Sequence, residues 1–150
     1  MAPAPPRRTA ARGGPLPPSP MQRPDAAPPG SFCWLDLAAC DDERAKAFYA
    51  QAFGWRYATQ HANGGAFTRC RVGGGDVGSL YRLTQAQREQ GVPSHWTPYL
   101  RVVDVDALTP RVASLGGRVL VAPFDVQGIA RIALIEDAVG AVVGLWQPPR

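Results

Sequence analysis

Few residues of this sequence could perform acid–base or ligand chemistry, and three of them fall on predicted strands. Asp36 lies in the alternating segment SFCWLDL, and His95 and Tyr99 lie in the segment HWTPYLRV. Because every second side chain of a strand points to the same face, His95 and Tyr99 are expected on one face. His95 could act as a ligand or base, although a loop histidine bonded to the backbone is the commoner role. Ser31, Asp36 and His95 match no nucleophile motif, so a hydrolase is not supported.

The elements that must position these residues occur twice in the chain. Residues 33–55 indicate a strand, an acidic turn, a helix and a glycine exit, and residues 95–119 repeat that plan. Three more strands follow each helix, so the sequence predicts two βαβββ modules at residues 31–83 and 95–148. A shift of 63 positions aligns Asp41 with Asp104, Gly54 with Gly117 and Trp34 with Thr97.

The first module helix should begin next to Asp41, which can cap its free N–H groups. In the second module, Pro110 lacks the N–H that a helix interior requires. The regular helix is therefore expected to begin late, with Thr109 as its cap and Pro110 as its first residue. Cys33 alternates with Trp34, so it is expected to pack under the first helix.

The N-terminal residues 1–30 differ in composition from the rest of the chain. They hold ten of the sixteen prolines and no aromatic residue, which is typical of disorder. Their net charge is +3, and subtracting it from the formal +4 leaves about +1 for residues 31–150, which gives no reason to expect a nucleic-acid partner. No apolar run approaches the roughly 20 residues that cross a bilayer. Three cysteines without a C-x-x-C pair favour a cytoplasmic location. Translation could start at either Met1 or Met21.

Several segments together carry a family resemblance that covers residues 32–148. They are AKAFYAQAFGW, GDVGSL, GVPSHWTPYLRVVDVDAL and ASLGGRVLVAPFDVQGIARIALIEDAVGAVVGLWQP. The repeated βαβββ plan and these segments resemble the vicinal-oxygen-chelate superfamily, which includes glyoxalase I, extradiol dioxygenases and bleomycin-resistance proteins. The resemblance implies an α+β fold in which a single domain, residues 31–150, forms a U-shaped, half-barrel cleft between its two modules.

Metal-binding members of this superfamily place His, Gln or Glu at four inward positions, one on each of four strands. The resemblance maps these positions onto Trp34, Thr97, Ser79 (or Tyr81) and Gly144. None of them is a histidine or a carboxylate, and an indole offers only an N–H donor. The expectation is therefore a domain without a metal cofactor. A divalent metal would require non-standard ligands such as His95 with Asp36.

The inward face of the strands provides the candidate ligand-binding cleft. It should be lined by nine residues: Trp34, Asp36, Ser79, Tyr81, Thr97, Tyr99, Arg101, Gly144 and Trp146. The candidate catalytic residues are Asp36, His95 and Tyr99.

Three functions fit this pattern. The first is metal-free binding of a small organic molecule in an aromatic-walled cleft, as in bleomycin-resistance proteins. The resemblance to those proteins also implies a homodimer. The second is a lyase, isomerase or dioxygenase that uses either a non-standard metal site or metal-free acid–base work by Asp36 and Tyr99. The third is a partner-binding accessory domain whose cleft is filled. The sequence does not identify the ligand.

Overall fold

The computed structural model describes residues 24–62 and 64–149, and within them the predicted pair of βαβββ modules is confirmed. The first module consists of β1 (Phe32–Ala39), α1 (Asp42–Phe53), β2 (Arg56–Ala62), β3 (Gly65–Val72) and β4 (Gly75–Arg82). A short helix, α2 (Gln85–Glu89), connects the modules. The second module consists of β5 (His95–Arg101), α3 (Val105–Val112), β6 (Arg118–Val126), β7 (Ala130–Glu136) and β8 (Val142–Gln147). Short 3-10 turns form at Pro24–Ala26 and Ala113–Leu115.

All eight strands join one open sheet in the order β2-β3-β4-β1-β5-β8-β7-β6. Each module's first strand pairs in parallel with its last strand, β1 with β4 and β5 with β8. The antiparallel pair β1 and β5 joins the two modules at the centre of the sheet. The predicted α+β fold class is therefore confirmed. Within the described residues, no helix combines the length and apolar character needed to cross a bilayer.

Each module helix begins directly after an aspartate, and the cap predicted at Asp41 is confirmed. Asp41 and Asp104 each accept a hydrogen bond from the backbone N–H three residues later, at 3.0 and 2.9 Å. The predicted late start of the second helix is wrong, because α3 begins at Val105 and contains Pro110. The proline removes one backbone hydrogen bond, but the first and last residues of α3 are both buried. Burial of this apolar surface outweighs the loss of a single hydrogen bond.

Strand β1 is irregular between Phe32 and Trp34, where its register against β5 shifts. Simple alternation therefore fails at Cys33, and the prediction that it packs under α1 is wrong. Cys33 instead packs with Trp34 and Tyr99, and its thiol donates to the Tyr99 carbonyl at 3.5 Å. Burial raises the pKa of Cys33 to about 11, so this cysteine stays a thiol at neutral pH.

Residues 24–30 are ordered, although composition assigned them to a disordered extension. Ala27 follows the Pro24–Ala26 turn and is buried in a cluster that includes Trp34 and Trp146. The Gly30 N–H then donates to the Arg101 carbonyl at 2.7 Å, which ties the segment to β5. Composition cannot reveal such a docking surface, because the sheet provides it only after folding. The rest of the predicted extension, residues 1–23, lies outside the described residues.

The two faces of the sheet carry different kinds of side chain. On one face, Leu37 and Leu80 pack with residues of α1, and Leu145 packs with residues of α3. These clusters attach each helix to its own module. The other face carries aromatic and polar side chains and bounds the cavity described next.

Candidate functional site

A cavity of about 1150 Å³ lies along the sheet face opposite α1 and α3. Both modules line it, with Phe67 of β3 on one side and Phe124 of β6 on the other. Its lining residues alternate along the strands with the residues that face the helices, as the pleat of a strand requires. Sites for drug-sized ligands commonly measure about 300–1,000 Å³. This cavity is therefore large enough for a molecule with several rings.

Asp36 lines the cavity and is surrounded by three hydrogen-bond donors. Trp34 Nε1 donates to Asp36 Oδ1 at 3.0 Å, and the Ser79 hydroxyl donates to the same oxygen. The Tyr99 hydroxyl is the third donor to Asp36. Strand register explains the convergence, because Asp36 lies beside Ser79 on β4 while Trp34 lies beside Tyr99 on β5. The two central strand pairs therefore build one connected polar network.

The network shifts the proton affinities of its members. Burial raises the pKa of Asp36, and the hydrogen bonds from Ser79, Tyr99 and Trp34 oppose that shift without cancelling it. Burial, followed by the charge of Asp36, raises the pKa of Tyr99 and that of Tyr81. Tyr99 therefore keeps its proton at neutral pH and can act as a donor. Asp36 and Tyr99 together could exchange a proton with a bound molecule.

We predict that the stability of Asp36→Asn relative to wild type increases as pH rises above 3.8. The raised pKa means that folded Asp36 holds its proton more tightly than the unfolded chain does. This preference stabilises the fold below the unfolded pKa, and the contribution is lost as pH rises through the folded pKa. Asparagine carries no charge, so the variant avoids that loss. Urea unfolding of both proteins across a pH series measures the difference.

Asp137→Asn is the matched control, because its expected trend has the opposite sign. Backbone N–H groups of Ala141, Val139 and Gly140 lower the pKa of Asp137. Its carboxylate therefore stabilises the fold above the unfolded pKa, and this contribution is lost as pH falls through the folded pKa. The stability of Asp137→Asn should fall further below wild type as pH rises. Parallel trends for the two variants would contradict the assigned Asp36 shift.

Gly144 provides the space in which the Tyr99 ring lies. Tyr99 and Gly144 are register partners on β5 and β8. A Cβ atom added at Gly144 would overlap Cδ1 and Cε1 of Tyr99 and lie 2.7 Å from its Cγ. The position that the resemblance assigned to a metal ligand is thus occupied by the neighbouring aromatic ring. The glycine allows Tyr99 to reach Asp36.

Aromatic rings form the apolar part of the site. The Trp34 and Trp146 rings lie 5.6 Å apart between centroids and are tilted by 37°. Tyr99 packs edge-on against Trp146 at 6.1 Å. All three side chains are at most 7% exposed. A bound molecule would therefore meet rings whose positions are already held by their neighbours.

Six of the nine predicted cleft residues line the cavity: Trp34, Asp36, Ser79, Tyr81, Tyr99 and Trp146. Gly144 does not, because the Tyr99 ring covers it. The short Thr97 side chain is 5% exposed beside the larger Asp36 and is not part of the lining.

Arg101 and His95 were also predicted near the cleft, and neither lines the cavity. The Gly30 N–H donates to the Arg101 carbonyl and the Arg101 N–H donates to the Ser31 carbonyl, so the N-terminal segment pairs with that end of β5. The Arg101 Nη1 donates to the Val102 carbonyl at 2.7 Å. His95 is exposed, with its Nδ1 2.8 Å from the Pro93 carbonyl oxygen. His95 and Asp36 therefore do not meet in the cavity.

The donor groups of the site do not fit a divalent metal. Within residues 24–62 and 64–149, no three His, Cys, Asp or Glu side chains lie together as a metal site would require. The four positions that the resemblance pointed to hold an indole, two hydroxyls and a glycine. Zinc, manganese and iron take nitrogen and oxygen ligands with free lone pairs, whereas Asp36 already accepts hydrogens from its neighbours.

Several lining residues were missed by the sequence analysis. Phe67, Arg69 and Arg71 follow period two along β3 and all line the cavity. That periodicity was readable in the sequence, although nothing showed which face of β3 is inward. Asp25 also lines the cavity, and the Trp146 Nε1 lies 3.5 Å from its Oδ1. No sequence signal placed residue 25 there, because its position depends on the docked N-terminal turn.

Comparisons with known proteins agree with this architecture. The model of the Glyoxalase/Bleomycin resistance protein/Dioxygenase superfamily matches residues 31–145. CFP32 of Mycobacterium tuberculosis, which carries the name of a glyoxylase, is 36% identical over 123 residues, covering 81% of this chain and 47% of that protein. The anthracycline biosynthesis protein DnrV of Streptomyces peucetius is 32% identical over 130 residues, covering 79% and 47%. The chain spans about half the length of these curated relatives.

Solved structures share the fold at low sequence identity. A methylmalonyl-CoA epimerase from Mycobacterium tuberculosis superposes with a TM-score of 0.56 and 20% identity, covering 81% of this chain and 89% of that one. A Streptomyces coelicolor methylmalonyl-CoA epimerase in complex with 2-nitronate-propionyl-CoA gives 0.60 and 19%, covering 82% and 100%. At this level of identity the likeness establishes the fold alone.

Proposed function

Because this chain belongs to the glyoxalase/bleomycin resistance protein/dioxygenase superfamily, we propose that it binds a flat, multi-ring organic molecule in its cavity without a metal ion. The observation that carries this proposal is a cavity of about 1150 Å³ with Trp34, Tyr99 and Trp146 in its lining. The third function considered above, an accessory domain, predicted a filled cleft. An open cavity supports ligand binding instead.

Burial of apolar surface against the cavity lining provides the free energy that such binding requires. Phe67 on β3 and Phe124 on β6 both line the cavity and are partly exposed. A ring system that covers such surfaces buries apolar area at about 25 cal/mol per Å². The Trp34–Trp146 and Tyr99–Trp146 contacts hold the inner rings in place. Little side-chain ordering is then needed on binding, which favours affinity.

The similarity to DnrV suggests a first probe. That relative is named as an anthracycline biosynthesis protein, and an anthracycline is a flat, fused-ring molecule of the size that the cavity could hold. We expect an anthracycline to bind saturably to the wild-type protein. Phe124→Ala should weaken its affinity about tenfold, which corresponds to about 1.4 kcal/mol of lost apolar contact. Quenching of the probe's fluorescence on titration measures both affinities.

Phe53→Ala is the matched control for this titration. Phe53 lies on α1 and is 61% exposed, compared with 39% for Phe124, and it does not line the cavity. Its removal deletes the same side chain and should leave affinity within about twofold. Equal losses for the two variants, or none for either, would contradict binding in the cavity.

The remaining expectations about partners and location are also proposals. Sequestration of the bound molecule by a homodimer follows the analogy with bleomycin-resistance proteins, and sedimentation of the purified chain would test the dimer. A cytoplasmic location is supported by Cys33, Cys40 and Cys70, which are free thiols in this fold.

A second candidate function is metal-free acid–base catalysis, and the Asp36–Tyr99 hydrogen bond favours it. In such a reaction, ionised Asp36 would accept a proton from a carbon acid while Tyr99 stabilised the resulting oxyanion through its O–H. Protein-dependent deuterium uptake by a bound ligand in D2O, lost in Asp36→Asn, would support an enzyme. Ligand binding without such exchange would support the binding protein.

A further inference from the structure

The wall of the cavity formed by β3 and β4 carries two arginines. Arg69 and Arg71 stand two residues apart on β3 and both line the cavity, and Phe67 precedes them on the same face. Between them lies Asp76, another lining residue, from β4. The lining therefore changes along β3 from an aromatic surface to a cationic one.

The two guanidinium groups share a single carboxylate. Arg69 Nη1 lies 3.0 Å from Asp76 Oδ2, and Arg71 Nε lies 3.2 Å from Asp76 Oδ1. The Arg71 Nη2 also donates to the Gly74 carbonyl at 3.3 Å. Each guanidinium has five N–H donors, whereas a carboxylate offers about four lone-pair sites. The trio therefore has a net charge of +1 and more donors than its own acceptors can satisfy.

The other acidic groups of the cavity do not neutralise this surplus. Asp36 accepts hydrogens from Trp34, Ser79 and Tyr99, and none of the causes that shift its pKa is an arginine. Asp25 belongs to the N-terminal turn and contacts Trp146 on the far side of the network. Positive charge is thus concentrated on the β3–β4 wall, whereas the rings of Trp34, Tyr99 and Trp146 line the cavity from β1, β5 and β8.

Support of the fold does not explain this arrangement. The Arg69 and Arg71 side chains are 33% and 49% exposed, and ion pairs at such positions contribute roughly 0–1 kcal/mol. Guanidinium groups do, however, bind the paired oxygens of carboxylate, sulfonate or phosphate groups through two parallel hydrogen bonds. Their location in the lining makes such a group on a ligand the natural occupant.

We propose that Arg69 and Arg71 form an anion-binding subsite, so that the natural ligand is an aromatic molecule with an acidic substituent. Its rings would contact Phe67 and the Trp34–Trp146 surface, and its oxyanion would lie against the two guanidinium groups. This inference rests on the proposed function, since it assumes that the cavity binds an aromatic molecule. It adds the charge of the ligand and the residues that select it.

A pair of fluorescent probes separates the two contributions. Anilinonaphthalenesulfonate carries a sulfonate, and N-phenylnaphthylamine is the same molecule without it. The variant Arg69→Gln/Arg71→Gln should lower the affinity of the sulfonate about tenfold or more and leave that of the neutral amine within about twofold. Increasing ionic strength should weaken only the sulfonate, because salt screens the charge contribution.

Two further variants guard against indirect effects. Arg118→Gln removes an equally charged side chain that bonds Glu136 at 2.8 Å outside the cavity, and it should change neither affinity. The single variant Arg71→Gln keeps the Arg69–Asp76 ion pair. It should therefore fold even if the double variant does not, and it should lower sulfonate affinity about threefold.

The outcomes distinguish the subsite from the function on which it rests. If Phe124→Ala weakens both probes but the arginine variants change neither, the anion subsite is overturned and aromatic binding stands. If Phe124→Ala changes neither probe, the dyes bind outside the cavity, and both proposals are overturned. Equal losses of both probes in the arginine variants would assign these residues to the shape of the cavity and would also overturn the subsite.

Discussion

Gly144→Ala is expected to destabilise the protein by about 2–3 kcal/mol, which is a large cost for adding one methyl group. The new Cβ would overlap the Cδ1 and Cε1 atoms of the Tyr99 ring and lie 2.7 Å from its Cγ. Tyr99 cannot move aside easily, because it is 4% exposed, packs edge-on against Trp146 and bonds Asp36. The substitution should also weaken ligand binding, since a displaced Tyr99 would enter the cavity. Urea unfolding and probe titration measure the two effects.

A second substitution separates the Tyr99 clash from the general effect of replacing a glycine. Gly75→Ala also adds a methyl group on a strand, but there the nearest atom is the Val72 carbonyl oxygen at 3.8 Å. Its cost should stay within about 0.5 kcal/mol. In a Tyr99→Ala background, Gly144→Ala should cost at least about 1 kcal/mol less than in wild type, because the clashing ring is gone. Additive costs in that cycle would show that Gly144 does not serve Tyr99.

Trp34→Ala should have the largest effect of any single substitution at the site, about 3–5 kcal/mol of stability. The change removes a ring that is 7% exposed and packs on Trp146 at 5.6 Å. It also removes an N–H that donates to Asp36 and to Ser79. Trp34→Phe keeps most of the ring but loses that donor, so it should cost less while raising the pKa of Asp36 further. Affinity for aromatic ligands should fall with Trp34→Ala.

Trp96→Ala provides the comparison for this loss. Trp96 is 36% exposed and packs against Tyr49 and Trp55 outside the cavity lining. Removing it deletes the same side chain from a partly exposed position, so the destabilisation should be smaller and ligand affinity should not change. If the two variants lost equal stability and equal affinity, Trp34 would contribute no more to ligand binding than Trp96, and its assignment to the site would be wrong.

Local sequence patterns were sufficient to predict the architecture. Strand and helix periodicity predicted two βαβββ modules, and Asp41 indicated the start of the first helix, which begins at Asp42. These features depend on neighbours along the chain, so a sequence can report them directly. The same reasoning failed at Pro110, because burial of α3 against the sheet is a long-range effect that local propensity does not contain.

The site was predictable only in part, and the errors have physical causes. Trp34, Asp36 and Tyr99 were expected on one face, and all three line the cavity. Arg101 was expected beside them, but the N-terminal segment pairs with that end of β5. Cys33 left its predicted position because β1 is irregular there. Irregular register and docked termini depend on contacts between distant residues, so residue types alone did not indicate them.

By itself, the sequence determined the family of the fold and the residue types at its four central strands. The family resemblance assigned the metal-ligand positions to Trp34, Ser79, Thr97 and Gly144. Only the tertiary structure decided what these residues do together. It put the Tyr99 ring over Gly144, directed three donors at Asp36 and brought Arg69 and Arg71 to one wall of the cavity. Strand periodicity assigns a side chain to a face, whereas contacts between strands depend on register, which is set when the two modules pair.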